Sequence, residues 1–100
     1  MSHGNLATLA ADLPAVWRST LLGSVGNANI KLIKMGGEGI PEESHAEFDE
    51  LLVVIDGEMP LIVGDKTVLL SPGDYYLIPA GATHRVPPGS YGTLLLVDRE

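Results

Sequence analysis

From Val16 onward the chain is written in short apolar runs, rich in β-branched residues and broken by glycine and proline, which is the pattern of an all-β sandwich or barrel. The runs predict strands at Val16–Leu22, Ile30–Met35, Leu51–Ile55, Leu61–Val63, Thr67–Leu70, Tyr75–Ile78, His84–Val86 and Thr93–Asp98. Ahead of them, Leu6, Leu9, Ala10 and Leu13 recur at helical spacing behind Asn5, a good N-cap, and Pro14 stops the segment; a short helix is predicted from Asn5 to Leu13. Gly64-Asp65 reads as a tight hairpin turn, Ser71-Pro72-Gly73-Asp74 and Pro79-Ala80-Gly81 as two further turns, and Pro60 as an edge or bulge residue near Gly57.

Two runs do not alternate. Leu51-Leu52-Val53-Val54-Ile55 and Leu94-Leu95-Leu96-Val97 are apolar at every position, so both faces of these strands should be covered. The second cover is either another copy of the chain, making a homodimer, or the N-terminal segment. Residues 1–29 are therefore assigned to packing or dimerisation and residues 30–98 to the barrel core of one domain spanning 1–100.

Composition narrows the function classes. One hundred residues suffice for one core, so any active site lies in the cavity of that core. Thirteen acidic against six basic residues repel phosphate backbones and anionic lipid, which excludes nucleic acid and membrane surfaces as expected partners. The chain has no cysteine, hence no disulfide, zinc-thiolate site or cysteine nucleophile. No run has the length of a membrane span and the N-terminus has no signal-like pattern, so the cytoplasm is the expected compartment.

Residues 37–84 concentrate the chemistry. Glu43, His45, Glu50 and His84 are the nitrogen and oxygen donors of a divalent metal site. Glu43 and His45 share a face by strand alternation, whereas Glu50 joins them only if Ala46-Glu47-Phe48-Asp49 resets the register. Spacing alone does not bring His84 to the other three. The same four side chains also make sense without a metal, as a buried network of two carboxylates and two protonated imidazoles.

The order Gly37-x5-Glu43-x-His45-x4-Glu50-x6-Gly57, followed by Gly73-x5-Pro79-x-Gly81-x2-His84, resembles the two motifs of the cupin superfamily, G-x5-H-x-H-x3,4-E-x6-G and G-x5-P-x-G-x2-H-x3-N. There are two departures: Glu43 stands where the family has its first histidine, and Pro88 where the second motif ends in asparagine. The resemblance implies a cupin-type antiparallel β-barrel (a double-stranded β-helix or jelly-roll) with a short N-terminal helix. It also implies a divalent metal, Fe, Mn or Zn, held by His45, Glu50 and His84, with Glu43 as fourth ligand or as a general base beside the ion. It further implies a metal-dependent dioxygenase, isomerase or lyase acting on a small metabolite such as an organic acid or sugar. The alternatives are a non-catalytic small-molecule-binding cupin and a structural dimeric barrel, each with the metal site lost through Glu43.

The remaining candidates carry simpler expectations. Of Tyr75 and Tyr76 one points inward; Tyr76 is the candidate catalytic hydroxyl, with core filling as the plainer role. Trp17 is expected on the first strand as a packing anchor, and Arg85, next to His84, in a surface or interface ion pair. Glu47 and Asp49 form an acidic, solvated loop, and His3 is assigned no role.

Overall fold

A fourteen-residue strand, Glu50–Val63, runs through both layers of the molecule and organises the rest. The computed structural model describes residues 2–100. In chain order the elements are α1 (Leu6–Ala11), β1 (Thr20–Val25), β2 (Ala28–Met35), β3 (Ile40–Glu43), β4 (Glu50–Val63), β5 (Lys66–Leu70), β6 (Tyr75–Ile78), β7 (His84–Val86) and β8 (Tyr91–Asp98). The first half of β4 pairs with β6 and β8, and β8 continues through β2 to β1. Its second half pairs with β5 and β7, and β7 with β3. All pairs are antiparallel, and the two sheets so formed make a jelly-roll β-barrel.

The sequence suggests two strands where there is one, because Gly57 and Pro60 look like breaks. They are accommodated instead. A bulge between Val54 and Asp56 shifts the register against β8, so the inward set changes from Leu52 and Val54 to Met59 and Leu61 without interrupting the ladder. Gly57, with φ of 78°, faces Gly92, with φ of 98°, and the two backbones touch: a Cβ on Gly57 would lie 2.0 Å from the Tyr91 carbonyl oxygen. Pro60 falls where the β8 ladder has ended at Glu58 and the β7 ladder has not begun at Ile62, so no neighbour on that side asks for its missing N–H.

The core lies between the sheets and contains Ile33, Leu52, Val54, Met59, Leu61 and Leu94 among its buried members. The predicted helix is real but shorter, capped by Asn5, whose Oδ1 accepts from the Thr8 N–H at 3.0 Å. It contacts β2, β8 and β4, and it buries Ala10 but leaves Leu9 exposed. By parity, Leu32 and Thr93 belong to the outer face of the first sheet, yet both are buried on the side where α1 packs. The N-terminal segment thus covers part of the apolar outer face. Beyond it, Ile30, Val97, Leu51 and Leu77 form one cross-strand row, with Leu77 54% exposed.

Two readings of the strands need correction. The strand predicted from Val16 begins at Thr20; Trp17 precedes it with φ of 62°, because its backbone N–H donates to Lys34 O at 2.8 Å and its indole Nε1–H to Gly36 O at 2.6 Å. Trp17 is nevertheless packed against the core. The apolar pattern does not reveal β3, since Ile40-Pro41-Glu42-Glu43 is short, polar and contains proline. Arg85 is exposed at the surface, as alternation with the buried His84 implies, and has no ion-pair partner among the described residues of its own chain.

Candidate metal centre

Each of the four donors is delivered by a different piece of backbone. Glu43 ends β3, His45 follows in the loop, Glu50 opens β4 and His84 opens β7. β3 and β7 pair with Glu43 opposite His84, which is the contact that spacing could not supply. The 44–49 segment is not strand, so Glu50 is released from the parity of Glu43 and His45. Two hydrogen bonds hold this loop to the turn before β7: the Gly81 N–H donates to His45 O at 2.8 Å, and the Ala80 N–H to Asp49 Oδ1 at 2.9 Å. Asp49 is thus a fastener rather than a merely solvated acid.

The ligand atoms all lie within 4.8 Å of one another. His45 Nε2 is 3.7 Å from Glu43 Oε1 and 3.5 Å from Glu50 Oε2; His84 Nε2 is 3.5 Å from Glu43 Oε1 and 3.6 Å from Glu50 Oε1. A hydrogen-bonded ion network closes to about 2.7–2.9 Å, and these separations are too long for that. Donors held at about 2.0–2.2 Å from a common cation would be separated by roughly 3.3–3.6 Å along a tetrahedral edge, close to these four imidazole–carboxylate separations.

His84 is the most constrained of the four. Its Nδ1 lies 3.0 Å from Ala82 O, and a carbonyl can only accept, so the neutral ring carries its proton on Nδ1 and turns the Nε2 lone pair into the cluster. That Nε2 is buried and has no hydrogen-bond partner. The ring of His45 is steadied by Phe48, stacked on it at a centroid distance of 4.9 Å and an interplanar angle of 20°. The sequence does not single out Phe48, because its place in the acidic loop gives no sign of which ring it meets.

Glu50 is buried, and burial pushes its carboxyl above the ordinary carboxylate range, partly opposed by the two imidazoles and reinforced by Glu43 and Asp98. A raised folded-state value means that protonated Glu50 stabilises the metal-free protein at pH below the ordinary carboxylate value, and that this contribution is lost as pH rises through the raised one. Glu50→Gln removes the loss. In chelator-treated protein the melting temperature of the variant, relative to the natural chain, should climb as pH rises from the ordinary carboxylate range through the raised value; parallel curves would show that Glu50 ionises without penalty.

The four donors open on a cavity of about 220 Å³ whose walls include Ile33, Leu52, Met59, Leu61 and Leu94. Tyr76 is half-buried against the core, in keeping with the core-filling role, and is not among the residues lining this cavity. His3 is exposed and outside the cluster.

A small jelly-roll barrel thus gathers at its cavity two histidines and two glutamates that could hold a metal ion. The family model for the Cupin domain matches residues 31–94, and the chain belongs to the cupin family. The chain is 35% identical over 60 residues to quercetin 2,3-dioxygenase of Bacillus subtilis (strain 168), a match that takes in 60% of this chain and 18% of that enzyme. Among solved structures, a cupin-2 domain-containing protein from Shewanella frigidimarina superimposes with a TM-score of 0.84 at 22% identity, covering 93% of this chain and 90% of that one. A protein from Thermus thermophilus gives a TM-score of 0.79 at 27% identity, covering 98% of this chain and 95% of that one.

Proposed function

We propose that this cupin binds one divalent ion through His45, Glu50 and His84, with Glu43 as the fourth donor, and acts as a metal-dependent enzyme on a small metabolite. The observation that carries this reading is the buried, unpartnered Nε2 of His84, oriented by Ala82 and facing two carboxylates at distances too long for hydrogen bonds. A bound ion of this class supplies Lewis-acid polarisation of a substrate oxygen or activation of dioxygen. Two carboxylates neutralise a divalent cation and favour Mn or Fe over Cu. The chain's own part is to hold the donors and exclude water with the apolar wall; in a site held by His45, Glu50 and His84 alone, Glu43, whose side chain is 44% exposed, would instead serve as a general base exchanging protons with solvent. The similarity to a dioxygenase favours oxygen chemistry over isomerisation or lyase chemistry, although the chain spans less than a fifth of that enzyme.

Elemental analysis of protein purified without chelator or affinity metal tests the reading. About one Mn, Fe or Zn per chain supports it; no metal, even after reconstitution, leaves a non-catalytic binding module. Glu43→His should retain metal at the same stoichiometry and bind it as tightly or more tightly, as a titration with Mn(II) or Zn(II) would show.

We further propose that copies of the chain pair through the outer row of Ile30, Val97, Leu51 and Leu77, which lacks charge on a chain of formal net charge -7. Leu77→Glu should then convert a dimer to a monomer in sedimentation equilibrium, and unchanged mass would exclude this face.

A further inference from the structure

Apart from the exposed Glu100, whose charge is negative, every charge lining the cavity has a partner once an ion is bound, and this balance selects the ligand. Lys31, the one cation lining the cavity among the described residues, is closed by Asp98: its Nζ lies 3.1 Å from Oδ1 and 3.3 Å from Oδ2. The Asp98 side chain is 1% exposed and that of Lys31 16%. Asp98 sits on β8 one step beyond the Leu51–Val97 pair, directly across from Glu50, where two like charges would repel if Lys31 were not there. Glu43 and Glu50 in turn balance a divalent cation. The rest of the wall, with Ile33, Leu52, Met59, Leu61 and Leu94, is mainly apolar, and its polar exceptions, Ser19 and Glu100, add no positive charge.

A carboxylate or phosphate entering this space would lose its hydration and find no unmatched positive charge. A sugar would bury several hydroxyls against apolar carbon. An uncharged, mainly apolar molecule loses little, and a single oxygen acceptor on it finds a donor, because the Lys31 ammonium has three N–H groups and only the Asp98 carboxylate as partner. Size sets a further bound. A cavity of about 150 Å³ holds benzene, so one of about 220 Å³ holds roughly nine non-hydrogen atoms.

We infer that the cavity takes a small uncharged, largely apolar molecule bearing one carbonyl or hydroxyl oxygen, held by Lys31, and that the Lys31–Asp98 pair is what rejects anions. This names the ligand class for the site proposed above, but the selection does not depend on the metal: without the ion, Glu43 and Glu50 are uncompensated and repel anions more strongly still.

Acetophenone and benzoate have the same heavy-atom count and differ in charge, which makes them suitable probes. Thermal shifts are measured with each at millimolar concentration, on Mn-loaded and on metal-free full-length protein, with metal content determined separately. Acetophenone should raise the melting temperature by a few degrees in both forms, and benzoate should not. Asp98→Asn leaves Lys31 uncompensated and is nearly isosteric, so Mn-loaded variant should gain a response to benzoate; Lys31→Met/Asp98→Leu, which removes both charges, should keep the apolar fit and lose the preference for acetophenone over ethylbenzene. Equal responses to acetophenone and benzoate in the natural chain, no response to acetophenone, or an Asp98→Asn variant still indifferent to benzoate would each overturn the inference. A chain that takes up no metal on reconstitution and still prefers acetophenone would retire the metal centre and leave this selection standing.

Discussion

His84→Ala protein should retain the barrel and lose its metal. The imidazole is the least replaceable of the four donors: it is 4% exposed and its Nδ1 is committed to Ala82 O, which fixes where its Nε2 points. Removing a group that merely orients a ligand costs about 10–100-fold in metal affinity, so removing the ligand itself should cost at least about 100-fold. The measurement is metal per chain after dialysis against trace Mn(II) or Zn(II), with circular dichroism as the check on folding. Because the change leaves a space the size of the ring, added imidazole should restore part of the binding. Full occupancy in the variant without imidazole would remove His84 from the site and with it the role given to its Nε2.

Gly57→Val should not fold at room temperature. At φ of 78° a side chain is already strained, and the new Cβ would overlap the Tyr91 carbonyl oxygen at 2.0 Å, with the Tyr91 carbonyl carbon at 2.7 Å and Gly92 Cα at 2.8 Å behind it. Backbone cannot swing aside as a flexible side chain does. Strain of about 1–3 kcal/mol from the backbone angle adds to a displacement of β8 from β4, against a total stability of about 5–15 kcal/mol for a domain of ordinary size. Gly26→Ala is the matched control: φ is 60°, but nothing lies within 4 Å of the added Cβ, so only the angular cost of about 1–2 kcal/mol applies. That corresponds to a drop in melting temperature of several degrees, in contrast to loss of the cooperative transition in Gly57→Val. A folded Gly57→Val protein would mean that β8 parts from β4 at this pairing more readily than the packing suggests.

The candidate site is legible in the spacing of the family motifs. Glu43, His45, Glu50 and His84 stand at motif positions, and the strand pairing of β3 with β7 then explains why residues about forty positions apart meet. Lys31 and Asp98 are not legible in this way. Each sits at the edge of an apolar run, where a charged residue looks like surface, and only the β2–β8 register turns both inward beside Glu50. The same holds for Phe48, whose stacking depends on the path of a loop. In the fold, periodicity locates most strands, because Val, Ile and Leu report burial directly. It fails at Gly57 and Pro60, where the breaking residues are absorbed by a bulge and by a gap between ladders, and at β3, whose partner rather than its composition makes it a strand.

The four donors differ in how firmly the scaffold grips them. Glu50 is rooted in β4, the strand with neighbours in both sheets, while Glu43 ends the four-residue β3, which has β7 alone as its ladder partner. Local opening begins where a strand is short and singly supported. An ion would therefore enter and leave past residue 43, and the lifetime of occupancy would be governed by fraying of that rim rather than by the stability of the barrel.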